Sequence, residues 1–245
     1  GSGSPGGRGS RAYRLTVIGH PHGYPISYAL PTRPDQLRDI DLAASINAAA
    51  LRLRSLPLTL SEEDLRVRVR KCRAPRLTVI VLDSSGSMGI LKRMCIAKGI
   101  AQKLTEGSYV KRDFIALIAF RGQKADVIVP PTRKYEEVLR ALEGLPTGGR
   151  TPLPAALKAL LDMAKAFKMK HRDALVKAIL ITDGKANVPL GEDVEEDIRS
   201  LTAALVKAGV EFEIYDTRPH LAFDLVPSYI DLMAELSGAL VHRCD

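Results

Sequence analysis

The sequence predicts an α/β domain over residues 77–245. Its core is a doubly wound, mostly parallel six-stranded sheet with one antiparallel edge strand and helices on both faces, preceded by an N-terminal extension. Three observations predict it. From residue 77 onward, short apolar runs alternate with helical stretches. The runs "LTVIVL" and "VKAILI" are apolar throughout, as expected when helices cover both sheet faces. The strand-like runs 114–120 and 125–129 are separated only by "RGQK", too short for a crossover helix, so this pair is expected to form an antiparallel hairpin at an edge.

The elements follow in order. Residues 1–10 read as a tag or flexible lead and 11–76 as a basic extension that is largely irregular. Within it, "DIDLAASINAAALRLRS" (39–55) reads as a helix. "SEEDLRVRVRKCRAP" (61–75) offers a cap at Ser61, then alternates Leu65, Val67 and Val69 with Arg66, Arg68 and Arg70, a half-buried strand signature. Beyond it, strands are expected near 77–82, 114–120, 125–129, 176–182, 210–215 and 239–243. Helices are expected near 88–106, 134–143, 152–168, 192–208 and 226–237. The first of these places Ile90, Met94, Ala97, Ala101 and Leu104 at helical spacing.

Composition removes several function classes. No apolar run reaches the ~20 residues of a membrane span. The chain has no Trp and is only 5% aromatic, which argues against a base-stacking surface. Of the +8 net charge, residues 1–76 carry 13 basic against 6 acidic side chains, so the excess belongs to the extension and 77–245 is nearly neutral. Dispersed basic residues without an accompanying motif do not make a nucleic-acid interface. Cys72, Cys95 and Cys244 lack metal-ligand spacing and read as reduced, structural thiols of a cytoplasmic protein. His20 and His22 form an H-x-H pair in a Pro-rich stretch and read as solvated.

Three strand ends carry oxygen-rich residues: Asp83-Ser84-Ser85-Gly86-Ser87, Thr151 after "PTGGR", and Asp183-Gly184 closing "AILITDG". Ligands of open α/β sheets bind beyond the carboxyl ends of the strands. Two carboxylates and three hydroxyls suit a hard cation such as Mg²⁺, and neutral hydroxyl ligands leave it electrophilic enough to accept one more carboxylate. Asp83, Ser85, Ser87, Thr151 and Asp183 are therefore the candidate ligands for Mg²⁺ or Mn²⁺. Each also has a plainer role open to it. Thr151 before Pro152 could be a helix cap, Asp183-Gly184 a turn, and Ser87 the cap of the next helix. A surface position is expected for the site, so that Asp83→Ala would abolish binding and leave the fold intact.

The D-x-S-x-S pattern of Asp83, Ser85 and Ser87, with Thr151 and Asp183, resembles the metal-ion-dependent adhesion site of von Willebrand factor A and integrin I domains. The stretches "RMCIAKG", "RDFIALIAFRGQKADVIVPPT", "LPTGGRTPL" and "TDGKANV" are similar to the C-terminal part of the magnesium-chelatase D subunit and its cobalt-chelatase relatives. "IDLAASINAAALR" and "LTLSEEDLRVRVRKCRAPR" resemble the segment that joins that subunit's AAA+ module to its adhesion domain. The resemblance implies a Rossmann-like fold and a metal-dependent protein-interaction module within an ATP-driven complex that inserts Mg²⁺ or Co²⁺ into a tetrapyrrole. The implied partners are an AAA+ ATPase subunit and a large tetrapyrrole-binding subunit, one of which would offer an Asp or Glu to the metal. Arg150 departs from the pattern, where a small residue is expected; it would alter access to the metal without removing a ligand. No G-x-x-x-x-G-K-[ST] occurs, so neither ATP hydrolysis nor metal insertion is expected of the chain alone.

The enzyme alternative is an α/β serine hydrolase using Ser87, Asp183 and either His220 or His242, which occur in the hydrolase order. Against it, Ser85 replaces the first glycine of G-x-S-x-G, and Asp83 would set a charge beside the oxyanion.

Overall fold

The computed structural model describes residues 14–18, 24–32, 34–54, 57–86, 89–107, 113–219 and 227–244. The chain divides into two compact units, residues 1–74 and 75–245.

In the N-terminal unit, β1 (Arg14–Ile18) and β2 (Tyr24–Ala29) flank a later strand on either side. The helix α1 (Leu42–Leu53) lies within the 39–55 stretch that the sequence assigns to it. Asp41 caps it, its Oδ1 accepting from the Ala44 N–H at 3.0 Å. The strand predicted from the Arg/Val alternation is β3 (Val67–Arg73), antiparallel to both β1 and β2 in the order β1-β3-β2. The sequence treats the region of β1 and β2 as irregular. In β1 (5 residues) Arg14, Leu15, Thr16 and Val17 do alternate in polarity, a strand signal that sequence reasoning missed. In β2 (6 residues) Pro25 interrupts the run, so pairing with β3 supplies what local pattern does not.

A hydrogen-bond set around the buried Asp64 carboxylate organises this unit. Arg52 donates from Nε and a terminal nitrogen to both Asp64 oxygens, at 3.0 and 2.9 Å. The Ser61 N–H adds a third bond to Asp64 at 2.9 Å, and Ser61 and Asp64 form a capping box. The Arg66 N–H donates to the Ser45 hydroxyl at 2.8 Å, joining α1 to the approach of β3.

In the larger unit, β4 (Arg76–Asp83) is buried along most of its length and sends its side chains to the two faces in turn. Leu77, Val79 and Val81 enter one core layer, while Ile80 and Leu82 enter the other. The helix α2 (Ile90–Gly107) follows it. β5 (Asp113–Arg121) runs parallel to β4, and β6 (Lys124–Thr132) turns back antiparallel, with Arg121 opposite Lys124. The "RGQK" hairpin is thus at the sheet edge as the sequence requires, and Pro130 and Pro131 lie on that edge strand. Next come α3 (Glu136–Glu143), α4 (Leu153–Lys170) and β7 (Leu175–Thr182), which pairs parallel with β4 on its other side. Then α5 (Val194–Lys207), β8 (Val210–Asp216), α6 (Ile230–Ser237) and β9 (Leu240–Arg243) complete the order β6-β5-β4-β7-β8-β9.

Helices cover both faces. Ala97 and Ala101 of α2 and Val138 and Leu142 of α3 pack with Ile80, Leu82, Ile179 and Ile181. Leu157 and Leu160 of α4, Ile198 of α5 and Met233 of α6 pack with Val79, Ile118 and Leu180. The helix expected at 226–237 begins at Ile230 because Ser228 is used elsewhere. It bridges to Lys185, and its hydroxyl donates to the Asp183 carbonyl at 2.9 Å. Cys95 is exposed and Cys244 half-buried, both as free thiols. The Cys72 side chain, His20, His22 and residues 1–10 lie outside the description. Among the described residues, no helix is long and apolar enough to cross a membrane.

The Arg52 hydrogen bonds hold the Asp64 carboxyl well below the usual carboxylate range, with the Ser61 N–H adding to the effect. A depressed folded pKa gives stability that is present above the unfolded value of about 3.9 and is lost as pH falls toward the folded value. Asp64→Asn is therefore expected to lower the unfolding midpoint of the N-terminal unit at pH 7. The wild-type and variant curves should converge as acid is added below about pH 4. A gap of constant size down to pH 2 would show that the charge of Asp64 is not what stabilises the unit.

Candidate metal centre

β4 ends on Asp83, a carboxylate with 0% exposure. A buried charge needs hydrogen bonds from every side, and the surrounding sequence supplies them. Oδ1 accepts from the Ser85 N–H at 3.0 Å and from the Ser85 hydroxyl. Oδ2 accepts from the Thr182 hydroxyl at 2.7 Å, and that oxygen accepts from the Gly184 N–H at 3.0 Å. The ends of β4 and β7 are thereby tied together.

Arg93 of α2 completes the set and is itself fully buried. Its Nε donates to the Asp83 carbonyl at 2.7 Å and a terminal nitrogen to the Ser85 carbonyl at 3.0 Å. A terminal nitrogen lies 3.9 Å from Asp83 Oδ1. One cation thus grips the backbone of the Asp83–Ser85 turn and faces its carboxylate. Sequence reasoning missed Arg93. The available signal was a charged residue on the apolar stripe of Ile90, Ala97 and Ala101, three positions after Ile90 and four before Ala97. Thr182 was missed too, since it carries no signal beyond its place before Asp183.

Two further loops close on this turn. The Gly86 N–H donates to the Gly149 carbonyl at 3.0 Å and the Gly148 N–H to the Ser84 carbonyl at 2.9 Å. A Cβ at Gly86 would lie 3.1 Å from both Gly148 Cα and Gly149 N, so only glycine lets the backbones meet this closely. The Thr151 N–H donates to Asn187 Oδ1 at 2.9 Å, and the Asn187 N–H returns a bond to the Thr151 carbonyl at 3.2 Å. These contacts bring Ser85, Thr151 and Asp183 into the lining of one cavity of about 200 Å³, shared with Gly149, Lys185 and Asn187.

Of the five predicted ligands, three line this cavity. Asp83 does not; its Oδ1 accepts a hydrogen bond from the hydroxyl of the cavity-lining Ser85, leaving that hydroxyl oxygen's lone pairs for the cavity. Ser87 lies outside the described residues. Thr151 is not a helix cap, because α4 begins at Leu153 with Pro152 at the cap position and no side-chain cap bond. Asp183 does make a turn bond, its Oδ1 accepting from the Lys185 N–H at 3.0 Å. Burial pushes the Asp183 carboxyl above its ordinary value; the Lys185 N–H offsets part of this, and the Asp83 charge adds to it. Asp83 is interior, so the expectation that its removal is harmless to the fold is corrected: Asp83→Ala would strip a buried cation of its anion.

Among the described residues no three His, Cys, Asp or Glu side chains converge. The oxygens present are hydroxyl and carboxylate, a set fit for a hard divalent cation and ill suited to softer metals. In the hydrolase alternative, Ser87 and His220 lie outside the described residues. His242 is engaged elsewhere: its Nε2 sits 2.6 Å from Glu213 Oε1 and its ring stacks on Tyr215 at 4.5 Å.

Two outcomes are expected. Arg93→Met should destabilise the larger unit by about 3–5 kcal/mol, as for one partner of a buried pair. In a double-mutant cycle with Asp83→Asn, measured by denaturant unfolding, the two changes should be strongly non-additive; simple additivity would show no coupling. A raised folded pKa means that Asp183 contributes stability below the unfolded value of about 3.9, which is lost as pH rises through the folded value. Cation-free Asp183→Asn should therefore melt higher than wild type at pH 7 and equally at pH 3. A lower melting temperature at pH 7 would contradict this.

Residues 78–185 match the profile of the von Willebrand factor type A domain. The chain is 33% identical over 173 residues to the magnesium-chelatase 67 kDa subunit of Chlorobaculum tepidum, covering 66% of this chain and 28% of that protein. It is 33% identical over 226 residues to the magnesium-chelatase 60 kDa subunit of Cereibacter sphaeroides, covering 86% of this chain and 39% of that protein. It therefore spans well under half the length of these relatives. Among solved structures, a von Willebrand factor type A protein from Catenulispora acidiphila superposes with a TM-score of 0.52 at 18% identity, covering 72% of this chain and 40% of that one, a likeness of fold alone. The chain belongs to the von Willebrand factor type A family and is a relative of the magnesium-chelatase D-type subunits.

Proposed function

We propose that residues 77–245 form a metal-ion-dependent adhesion site that binds one Mg²⁺ or Mn²⁺ and docks a carboxylate of a partner protein. One observation carries this reading: Ser85, Thr151 and Asp183 line a single cavity at the strand ends, with the Asp83 carboxylate hydrogen-bonded behind Ser85. Ser85, Thr151 and Asp183 would hold the cation, with Ser87 as a further hydroxyl. Asp83 would act through Ser85 and through water. The cation, when bound, supplies an electrophilic centre with a position open to an external Asp or Glu.

The chain's own residues prepare that contact. Ser85 is oriented by its bond to Asp83, and Thr151 is held by its backbone exchange with Asn187. Gly148 and Gly149, at φ of +111° and +86°, give the loop before Thr151 the backbone freedom to shift on docking. By likeness to chelatase subunits, the partners would be an AAA+ ATPase subunit and a large tetrapyrrole-binding subunit. The chain would be a non-catalytic part of an ATP-dependent magnesium or cobalt chelatase acting in chlorophyll or cobalamin biosynthesis in the cytoplasm. The inserted Mg²⁺ or Co²⁺ is that reaction's substrate and distinct from the adhesion-site ion. With no phosphate-binding loop in the sequence, purified chain should show background ATPase and esterase activity.

Titration calorimetry should show one Mg²⁺ or Mn²⁺ per wild-type chain. Ser85→Ala and Thr151→Ala should each weaken it by about tenfold or more, equal to about 1.4 kcal/mol. In EDTA, Thr151→Ala should melt as wild type does, whereas Ser85→Ala should melt lower because it takes a hydrogen bond from the buried Asp83 carboxylate. Recovery of the ATPase or tetrapyrrole-binding subunit in a pull-down should be lost with EDTA and with Thr151→Ala. Unchanged cation affinity in both variants would overturn the ligand assignment. Equal recovery in every lane would show that the site is not the docking point.

A further inference from the structure

Arg150 sits between two cavity-lining residues, Gly149 and Thr151, yet the cation reading gives it no role. The backbone carries it to a second arginine. The Gly122 N–H, in the hairpin turn after β5, donates to the Arg150 carbonyl at 3.0 Å. A Cβ at Gly149 would lie 3.2 Å from Gly122 N, so turn and glycine loop are in contact. Arg121 precedes Gly122 and follows Phe120, whose carbonyl accepts from the Ser84 N–H at 3.1 Å. Arg121 and Arg150 thus flank one junction at the edge of the cavity.

Both side chains are exposed. Among the described residues, neither makes a hydrogen bond or ion pair, whereas the neighbouring Lys124 lies 3.5 Å from Asp126. Lys185 adds a third cationic residue, in the cavity lining itself. Exposed acids of this end of the sheet include Asp126, which lies against Lys124, and Glu192, Asp193, Glu195 and Glu196 around the start of α5. That helix follows β7, on the other side of β4 from the hairpin. Asp193 is committed as the α5 cap and Glu195 to Arg199. On the β5–β6 side of the cavity, the exposed cations left without an acidic partner among the described residues are Arg121 and Arg150, while Lys185 stands on the β7 side.

We infer that this rim selects an acidic segment of the partner. One carboxylate enters the cavity, and neighbouring carboxylates on the same segment meet Arg121 and Arg150. Guanidinium groups present paired donors that suit carboxylates, and a localised cationic rim speeds the encounter with an acidic segment. The inference rests on the cation reading only for the entering carboxylate; the arginine contacts need no metal.

The test uses the full chain and two fluorescein-labelled peptides, each with one central Asp, flanked in one by glycines and in the other by glutamates. With Mn²⁺ at low salt, fluorescence anisotropy should show the glutamate-flanked peptide binding about tenfold tighter, the yield of two exposed ion pairs. The preference should fade as salt is raised. Arg121→Ala/Arg150→Ala should reduce it to near unity while the Mn²⁺ isotherm stays at the wild-type value, and Arg150→Glu, which sets a negative charge against the remaining Arg121, should likewise abolish it. A preference that survives in the double variant, or is absent from wild type, overturns the inference. So does an oligothymidylate that binds as tightly as the acidic peptide without divalent cation, which would mark a nucleic-acid surface. A flat Mn²⁺ isotherm with the arginine-dependent preference intact would remove the cation reading and leave this inference standing.

Discussion

A fully buried carboxylate at the end of the central strand constrains everything around it. Asp83 cannot reach water, so its charge has to be met by protein. Each group that meets it brings in a different part of the chain. Ser85 folds the loop after β4 back on itself, Thr182 joins the end of β7, and Arg93 holds α2 against the turn. Arg93 is equally buried, so neither charge is supportable without its neighbours. The pair is better understood as a device for geometry than as a source of net stability.

The rigidity needed for that device comes from the sheet. β4 is flanked by parallel strands on both sides and covered by helices on both faces, with Val79 through Leu82 sealed from solvent. The loops at its carboxyl end therefore start from fixed positions. They are joined to one another by backbone bonds, between Gly86 and Gly149, Gly148 and Ser84, and Thr151 and Asn187. A backbone bond does not depend on a particular side chain, so the outer residues of these loops are free to differ. Arg150 occupies such an outer position: its carbonyl serves the junction with Gly122 and its side chain is left to solvent.

The charge distribution has a related division of labour. The buried charges, Asp83, Arg93 and Asp183, sit within the network that shapes the cavity. The exposed charges on the hairpin side lie outside it, at the rim, where they act on encounter and choice of partner and hardly at all on folding. The β5–β6 hairpin thereby has two uses. It ends the sheet with an edge strand that Pro130 and Pro131 make unsuitable for further pairing, and it brings Arg121 beside the glycine loop.

The alternation of apolar runs and helical stretches was enough to determine the parallel sheet, and the four residues "RGQK" were enough to determine its antiparallel edge. Both follow from local constraints, namely the period of burial and the shortest chain that can cross a sheet. Sequence also pointed to the three loops of the candidate site, because oxygen-bearing residues in loops can be read one segment at a time. Only two of the three loops follow strands, since Thr151, expected at a strand end, lies between α3 and α4. It could not assign depth. Ser85, Thr151 and Asp183 line the cavity while Asp83 stands behind it, a distinction set by contacts between residues such as Asp83 and Thr182, far apart in the chain. Arg93 was hidden for the same reason, since a charge on an apolar stripe makes sense only once its partner across the fold is known. β1 was legible, since Arg14, Leu15, Thr16 and Val17 alternate in polarity, and was missed; β2, interrupted by Pro25, becomes a strand only through the neighbour that pairs with it. Segment identity is thus a local property that the chain carries in itself; burial, pairing and the neutralisation of charge belong to the tertiary structure, because each needs a partner from elsewhere.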